Sequence, residues 1–387
     1  MKLFNPVPFL SLLLLLTSSL GYSEDKTPKT IEPKLVWQKT FKEVLRIVGF
    51  ALSDKGDVVV SDIIGDNKPF ATRIRFIDKQ GKEKWVFDNS IKSIAFLSPN
   101  GKFVAVGSAH SPKEGGDIFL LNQQGKTIGE SAHYFEELIP ANDGKWVYGL
   151  HNSEEFLAGI KIHQLNKPSP KRGSDFIKIK LEQPMAGYQI NLTDNFDSFV
   201  VPDGSSVKFF KKDGKLIWKK ELHGMVTTTV ISGNGETIAA LLATGENNIT
   251  VLDKKGDILW KKTVSDIGNL KLTHDGNNLL LVGRTRLLLY GIKAGNLIWE
   301  RELTPGVQHM IYPRADMTKN GKLVVCATGY TKSKVVLLSG KDGAILWQND
   351  YAKKDINLDL TANGRYLVLQ SNGRDFSFYS IDYGEGE

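Results

Sequence analysis

The chain has 387 residues, a formal net charge of +7, 24% charged and 10% aromatic residues, and a single cysteine. That balance excludes a disulfide-stapled small domain and a disordered polyelectrolyte. The basic residues are scattered among turns, with no dense stripe, which argues against nucleic acid as a partner.

In chain order, the first element is a leader. Lys2 gives a basic start, Phe9 to Leu16 form a Leu-rich core, and SSLGYS supplies small residues for cleavage after Gly21 or Ser23. A signal peptide is expected over residues 1–23, with export to a periplasm or to the extracellular space. The apolar run is too short for a comfortable spanning helix, so no membrane span is expected once it is removed. No cysteine stands at the end of this leader, which argues against lipid attachment. Its loss takes away Lys2 and no acid, lowering the formal charge from +7 to +6.

Two phrases then alternate to the end of the chain. One is a turn followed by a strand: SDKGDVVV (53–60), SPNGKFVAVG (98–107), ANDGKWVYGL (141–150), SGNGETIAAL (232–241), THDGNNLLLV (273–282), TKNGKLVVCA (318–327) and TANGRYLVLQ (361–370). LTDNFDSFVV (192–201) is an imperfect copy. The glycines advance by 45, 43, 91, 41, 45 and 43 residues, the long interval being two units. Eight units of about 44 residues result.

The other phrase is GxxxW: GKEKW (81–85), GKLIW (214–218), GDILW (256–260), GNLIW (295–299) and GAILW (343–347). GKTIG (125–129) has lost the aromatic, and KRGSDFIKIK (171–180) fills the slot in a divergent unit. Each glycine can take the positive φ of a tight turn, with an apolar β-favouring run on either side, so the phrase reads as a hairpin.

Four short antiparallel strands cannot bury their own faces, but stacking them round a ring does. The expected fold is all-β: an eight-bladed β-propeller of four-stranded antiparallel blades, one domain over residues 34–383. The last unit lacks its GxxxW strand, whereas KLVWQKTF (34–41) resembles KLIWKKEL (215–222). The N-terminal strand is therefore expected to complete the last blade. The recurring tryptophans are expected to dock one blade on the next. Cys326, within LVVCATG, is expected to be a buried thiol.

GxxxW strands alternating with Asp/Asn-Gly turns resemble the repeats of the PQQ-enzyme-like, quinoprotein-type β-propeller family. In size the chain is similar to the exported bacterial scaffold propellers that carry such repeats. The resemblance spans residues 34 to about 383 and implies the architecture, an eight-bladed propeller. The quinone enzymes of the group place Thr before the glycine, where this chain has Asp213, Lys255 or Ala294. They also use paired cysteines or an acidic calcium site. PQQ is therefore not expected, and no other cofactor is.

Function is read from the loops. The two glycine turns of each blade should share one face, and the longer links should occupy the other, where sites usually lie. His110, His133, His151, His223 and His309 map to that long-loop face, without ligand spacing between any two. Neither a metal site nor a catalytic residue is assigned. Asp194, Asp197 and Asp203 leave a structural calcium ion as an alternative, although the spacing is not that of an EF-hand. The expected ligand- or partner-binding residues are His110, His151, Arg284, Arg286, Tyr330 and Arg374, because Arg and Tyr combine contact area with polar donors. Residues 165–172, LNKPSPKR, form a basic, proline-containing excursion that could serve as a docking arm. The leading reading is an exported, non-enzymatic scaffold for an envelope or extracellular protein. The alternative is a secreted enzyme or carbohydrate-binding propeller with a site at the channel mouth.

Overall fold

The computed structural model describes residues 31–64, 71–90, 92–108, 118–131, 138–151, 156–161, 163–164, 176–183, 190–244, 248–303, 313–328, 333–351 and 356–383. The leader, His110, His133, His309, Tyr330 and the excursion 165–172 lie outside these residues.

Eight antiparallel sheets follow one another along the chain. Blade 1 is Val44–Leu52, Val58–Ile64, Thr72–Ile77 and Glu83–Asn89, and blade 2 is Ser93–Leu97, Phe103–Ser108, Ile118–Asn122 and Thr127–Ser131. Blade 3 comprises Ile139–Pro140, Trp146–His151, Phe156–Lys161 and Phe176–Ile179; blade 4 comprises Asn191–Leu192, Ser198–Asp203, Ser206–Lys211 and Leu216–Glu221. Blade 5 runs from Val226–Ile231 to Ile258–Lys262, blade 6 from Ile267–Leu272 to Leu297–Glu302, and blade 7 from Arg314–Met317 to Ile345–Tyr351. Blade 8 takes Asn357–Leu360, Tyr366–Ser371 and Asp375–Ser380 from the C-terminal end, and its fourth strand is Lys34–Thr40. The expected closure is thus realised.

Blade 2 departs from the four-stranded plan. His163–Gln164 adds a fifth strand against Thr127–Ser131, with Gln164 opposite Gly129. Gly129 occupies the slot that holds Trp elsewhere, so this blade covers its outer edge with backbone in place of a ring. The divergent segment around KRGSDFIKIK supplies the outer strand of blade 3, Phe176–Ile179, as the repeat spacing predicts.

Burial follows strand position. The second and third strands of each blade are the core, as in TIAALL (237–242), buried at every residue. Fourth strands alternate exposed and half-buried side chains, as in LIWKKE (216–221). Core clusters bridge neighbouring blades: Ile249 and Val251 of blade 5 pack with Leu279 and Leu281 of blade 6. The seam between the chain ends is made the same way, with Trp37, Phe376 and Phe378 packed on Val58 and Val60 of blade 1.

The first repeat has a local cause. Its Ser or Thr side chain reaches the Asn or Asp two residues on, as in Ser232 to Asn234 (2.7 Å), Thr273 to Asp275 (2.6 Å) and Thr361 to Asn363 (2.8 Å). The same hydroxyl accepts the N–H of the residue five on: Thr237 N–H donates to Ser232 Oγ at 3.0 Å. Side chain-to-backbone bonds of this kind close tight turns. The glycine that follows sits at positive φ, +75° at Gly235.

Candidate functional site

The propeller has two unlike faces. On one, the turns between first and second strands are joined blade to blade. Asp54 N–H donates to Pro99 O (2.9 Å), Asn100 N–H to Asn142 Oδ1 (3.0 Å), and Asp194 N–H to Gly233 O (3.0 Å). The series continues with Asn234 N–H to His274 O (2.9 Å), His274 N–H to Lys319 O (2.7 Å) and Lys319 N–H to Ala362 O (2.9 Å). Asn363 Nδ2–H to Asp54 O (3.0 Å) brings it back to blade 1. Among the described residues the only junction without such a bond is that between blades 3 and 4.

Ion pairs cross this face. Asp194 Oδ2 of blade 4 lies 2.6 Å from His274 Nδ1 of blade 6 and 3.0 Å from Lys319 Nζ of blade 7. The sequence marked His274 only as a turn residue. The other two acids of the possible calcium segment point elsewhere. Asp197 pairs with Lys212 (3.3 Å), and buried Asp203 with buried Lys208 (2.7 Å) while accepting the Glu182 and Gln183 N–H groups. Among the described residues, no three His, Cys, Asp or Glu side chains are grouped so as to hold a metal ion.

The opposite face carries the links from second to third strands and, of the expected binding residues, the described ones: His151, Arg284, Arg286 and Arg374. Arg284 and Arg286 stand together at the tight link between the second and third strands of blade 6. Arg284 Nε lies 3.2 Å from Asp266 Oδ1. Arg286 reaches Glu300 Oε1 (2.9 Å) and donates to Ser265 Oγ (3.0 Å), tying its own outer strand to the link from blade 5. Arg374 is on the same face in blade 8, where its Nη2–H donates to Leu45 O (2.9 Å) and its carbonyl accepts Phe41 N–H (3.2 Å). Its visible role is to pin the chain where the N-terminal strand turns into blade 1. His151 ends the second strand of blade 3. His223 is exposed, at φ +58°, in the link from blade 4 to blade 5. The fold therefore puts the described candidates on one face but brings only Arg284 and Arg286 side by side.

A cleft of about 430 Å3 opens on the turn face, where the chain of turn-to-turn bonds is interrupted between blades 3 and 4. Its apolar wall is Trp146, Tyr148 and Phe196, stacked in a row with centroids 6.4 and 5.8 Å apart. Asp143 and Asp213 stand at its polar side. The sequence reading did not select these residues. The available signal was LTDNFDSF, in which Phe196 stands where the other turns carry glycine.

Comparison with known proteins agrees with the architecture. Residues 203–386 match a family model described as outer membrane protein assembly factor BamB. The chain resembles that family from the third strand of blade 4 to the last C-terminal strand of blade 8. No curated protein matches it. Among solved structures, the C-terminal WD40 domain of Sif2 superposes with a TM-score of 0.60 at 11% identity, over 92% of this chain and 99% of that one. BamB from Moraxella catarrhalis superposes with a TM-score of 0.54 at 12% identity, over 90% of this chain and 100% of that one. At these identities the structural likeness speaks for the fold alone. No helix among the described residues is long and apolar enough to cross a membrane.

Proposed function

We propose that this chain is an exported, non-enzymatic scaffold holding a protein or envelope component on its long-loop face. The observation that carries the reading is the asymmetry of the two faces. One is tied down by turn-to-turn hydrogen bonds, while the other presents longer links on a rigid ring, the usual arrangement for recognition. Arg284 and Arg286 stand on that second face. Resemblance over residues 203–386 to a family described as an assembly factor supports a protein partner and a location in the cell envelope or beyond it.

The test uses mature protein as bait against a solubilised envelope extract, read by mass spectrometry. The comparison bait carries Arg284, Arg286, Tyr330 and Arg374 changed to Ala, with its thermal unfolding measured alongside because Arg374 also pins the seam. One dominant partner, lost by a folded variant, is the expected result. A partner retained by the variant, or none at all, would overturn the assignment of this face.

A further inference from the structure

The interruption between blades 3 and 4 has a steric origin. At several other junctions a turn glycine settles onto the first residue of the second strand in the preceding blade. A Cβ on Gly144 would lie within 3 Å of the Phe103 ring, and one on Gly56 equally close to Tyr366. At the junction from blade 3 to blade 4 the corresponding pair is Trp146 and Phe196. Phe196 keeps the positive φ of the lost glycine, +60°, a conformation that costs a residue with a side chain about 1–2 kcal/mol. Its ring cannot lie under the turn and stacks on Tyr148 instead, at 5.8 Å. The turn is held off blade 3, and the cleft is the space left.

The polar groups of the cleft divide into satisfied and unsatisfied. Asp194 is engaged by His274 and Lys319, and Lys212 by Asp197. Asp143 and Asp213 have no cationic partner among the described residues. Each accepts only a backbone N–H of its own turn, from Lys145 (2.8 Å) and Lys215 (3.0 Å). Tyr148 is 3% exposed and lines the cleft, and its hydroxyl has no hydrogen-bond partner among the described residues. Two carboxylates without a cationic partner among the described residues, beside an aromatic wall, form an environment that attracts a cation. Ring faces and carboxylates favour the same ligand charge.

We infer that the cleft between blades 3 and 4, walled by Trp146, Tyr148 and Phe196 and edged by Asp143 and Asp213, binds a cationic side chain, arginine or lysine, of an extended polypeptide. This site lies on the face opposite the proposed scaffold surface and stands or falls independently of it.

The probe is a capped tri-arginine peptide, titrated calorimetrically at low and high salt, with capped tri-glutamate and maltose as comparisons. Saturable binding of tri-arginine alone is expected, weakened by salt and reduced about tenfold or more in Asp143→Asn/Asp213→Asn. Phe196→Gly supplies a second variant that relieves the backbone strain. It is expected to fold at least as stably as the parent and to lose the binding. Absence of saturable tri-arginine binding would overturn the inference. So would binding that survives both variants, or a site that takes maltose and ignores the peptide.

Discussion

Trp299 of blade 6 lies on Gly343 of blade 7, so that a Cβ built on the glycine would come within 2.9 Å of the indole. The indole Nε1–H donates to Gly340 O at 2.9 Å, one turn of chain away. The same arrangement joins Trp85 to Gly125 and Gln123 O, Trp218 to Gly256 and Lys254 O, and Trp260 to Gly295 and Ile292 O. In the GxxxW phrase, the glycine therefore receives the tryptophan of the blade before, and the tryptophan seeks the glycine of the blade after. Gly343 also sits at φ +68°. Gly343→Ala is expected to cost roughly 2–4 kcal/mol from the backbone conformation and the contact together. Trp299→Ala should cost roughly 3–5 kcal/mol, since the ring is buried. In a double-mutant cycle by chemical denaturation the two losses should be less than additive, because both remove one contact. Strict additivity would show that the ring and the glycine act separately.

Closure is the second point of leverage. Trp37 stacks on Phe378 with centroids 5.1 Å apart and planes 7° from parallel, and Phe41 meets Phe376 edge-on at 5.7 Å. Both phenylalanines are fully buried. A chain lacking residues 31–41 would expose them and leave blade 8 with an open edge, which invites pairing with other chains. Such a chain is expected to unfold without a single cooperative transition and to bind a hydrophobic dye. A synthetic peptide of residues 31–42 should restore cooperativity in a concentration-dependent way. A truncated chain with parental melting would mean that the strand contributes nothing to closing the ring.

The architecture was legible because both repeats are local rules. A Ser/Thr–x–Asn/Asp–Gly turn closes through its own side chains, and a GxxxW hairpin brings both halves of an inter-blade contact in one phrase. KLVWQKTF announced its destination by likeness to KLIWKKEL alone. The site was less legible because its ingredients are departures from the rules. Phe196 in a glycine slot is visible in the sequence, but that it turns onto Tyr148 and holds a junction open depends on which residue the blade before offers. Likewise Arg374 reads as a recognition side chain, and only the fold shows it holding Leu45 O. Asp194, His274 and Lys319 are far apart in sequence and meet because their blades share one ring.

Cys326 makes a simple probe of the core. It lies in the second strand of blade 7 with no exposed surface, and burial pushes its thiol up to about 12. The thiolate is the reactive form, so the native protein should not react with a disulfide reagent at neutral pH. One equivalent should react in concentrated guanidinium. Rapid reaction in the native state would show that blade 7 opens locally far more readily than its burial implies.

Stability should also depend on pH through buried acids. Asp62 in blade 1 is fully buried with Oδ1 3.1 Å from Arg75 Nε, while Oδ2 has no partner among the described residues. Burial outweighs the pull of the guanidinium and raises its pKa to about 6. Asp359, on the first strand of blade 8, is likewise raised, by burial and then by the charge of Asp316. An acid raised on folding binds more protons folded than unfolded. Its stabilising contribution is full below the ordinary carboxylate range, near pH 4, and is lost as pH climbs through the folded value. Asp88, held low by its hydrogen bonds with Arg73, works in the opposite sense and only in stronger acid. Between about pH 5 and pH 7 the first effect governs, and the parent chain should lose on the order of 1 kcal/mol from Asp62 alone. Urea midpoints measured across that range should fall with rising pH in the parent and fall less steeply in Asp62→Asn, with a further flattening when Asp359→Asn is added. A parent whose midpoint rises over the same range would mean that Asp62 stays ionised beside Arg75, and that the pair offsets its burial.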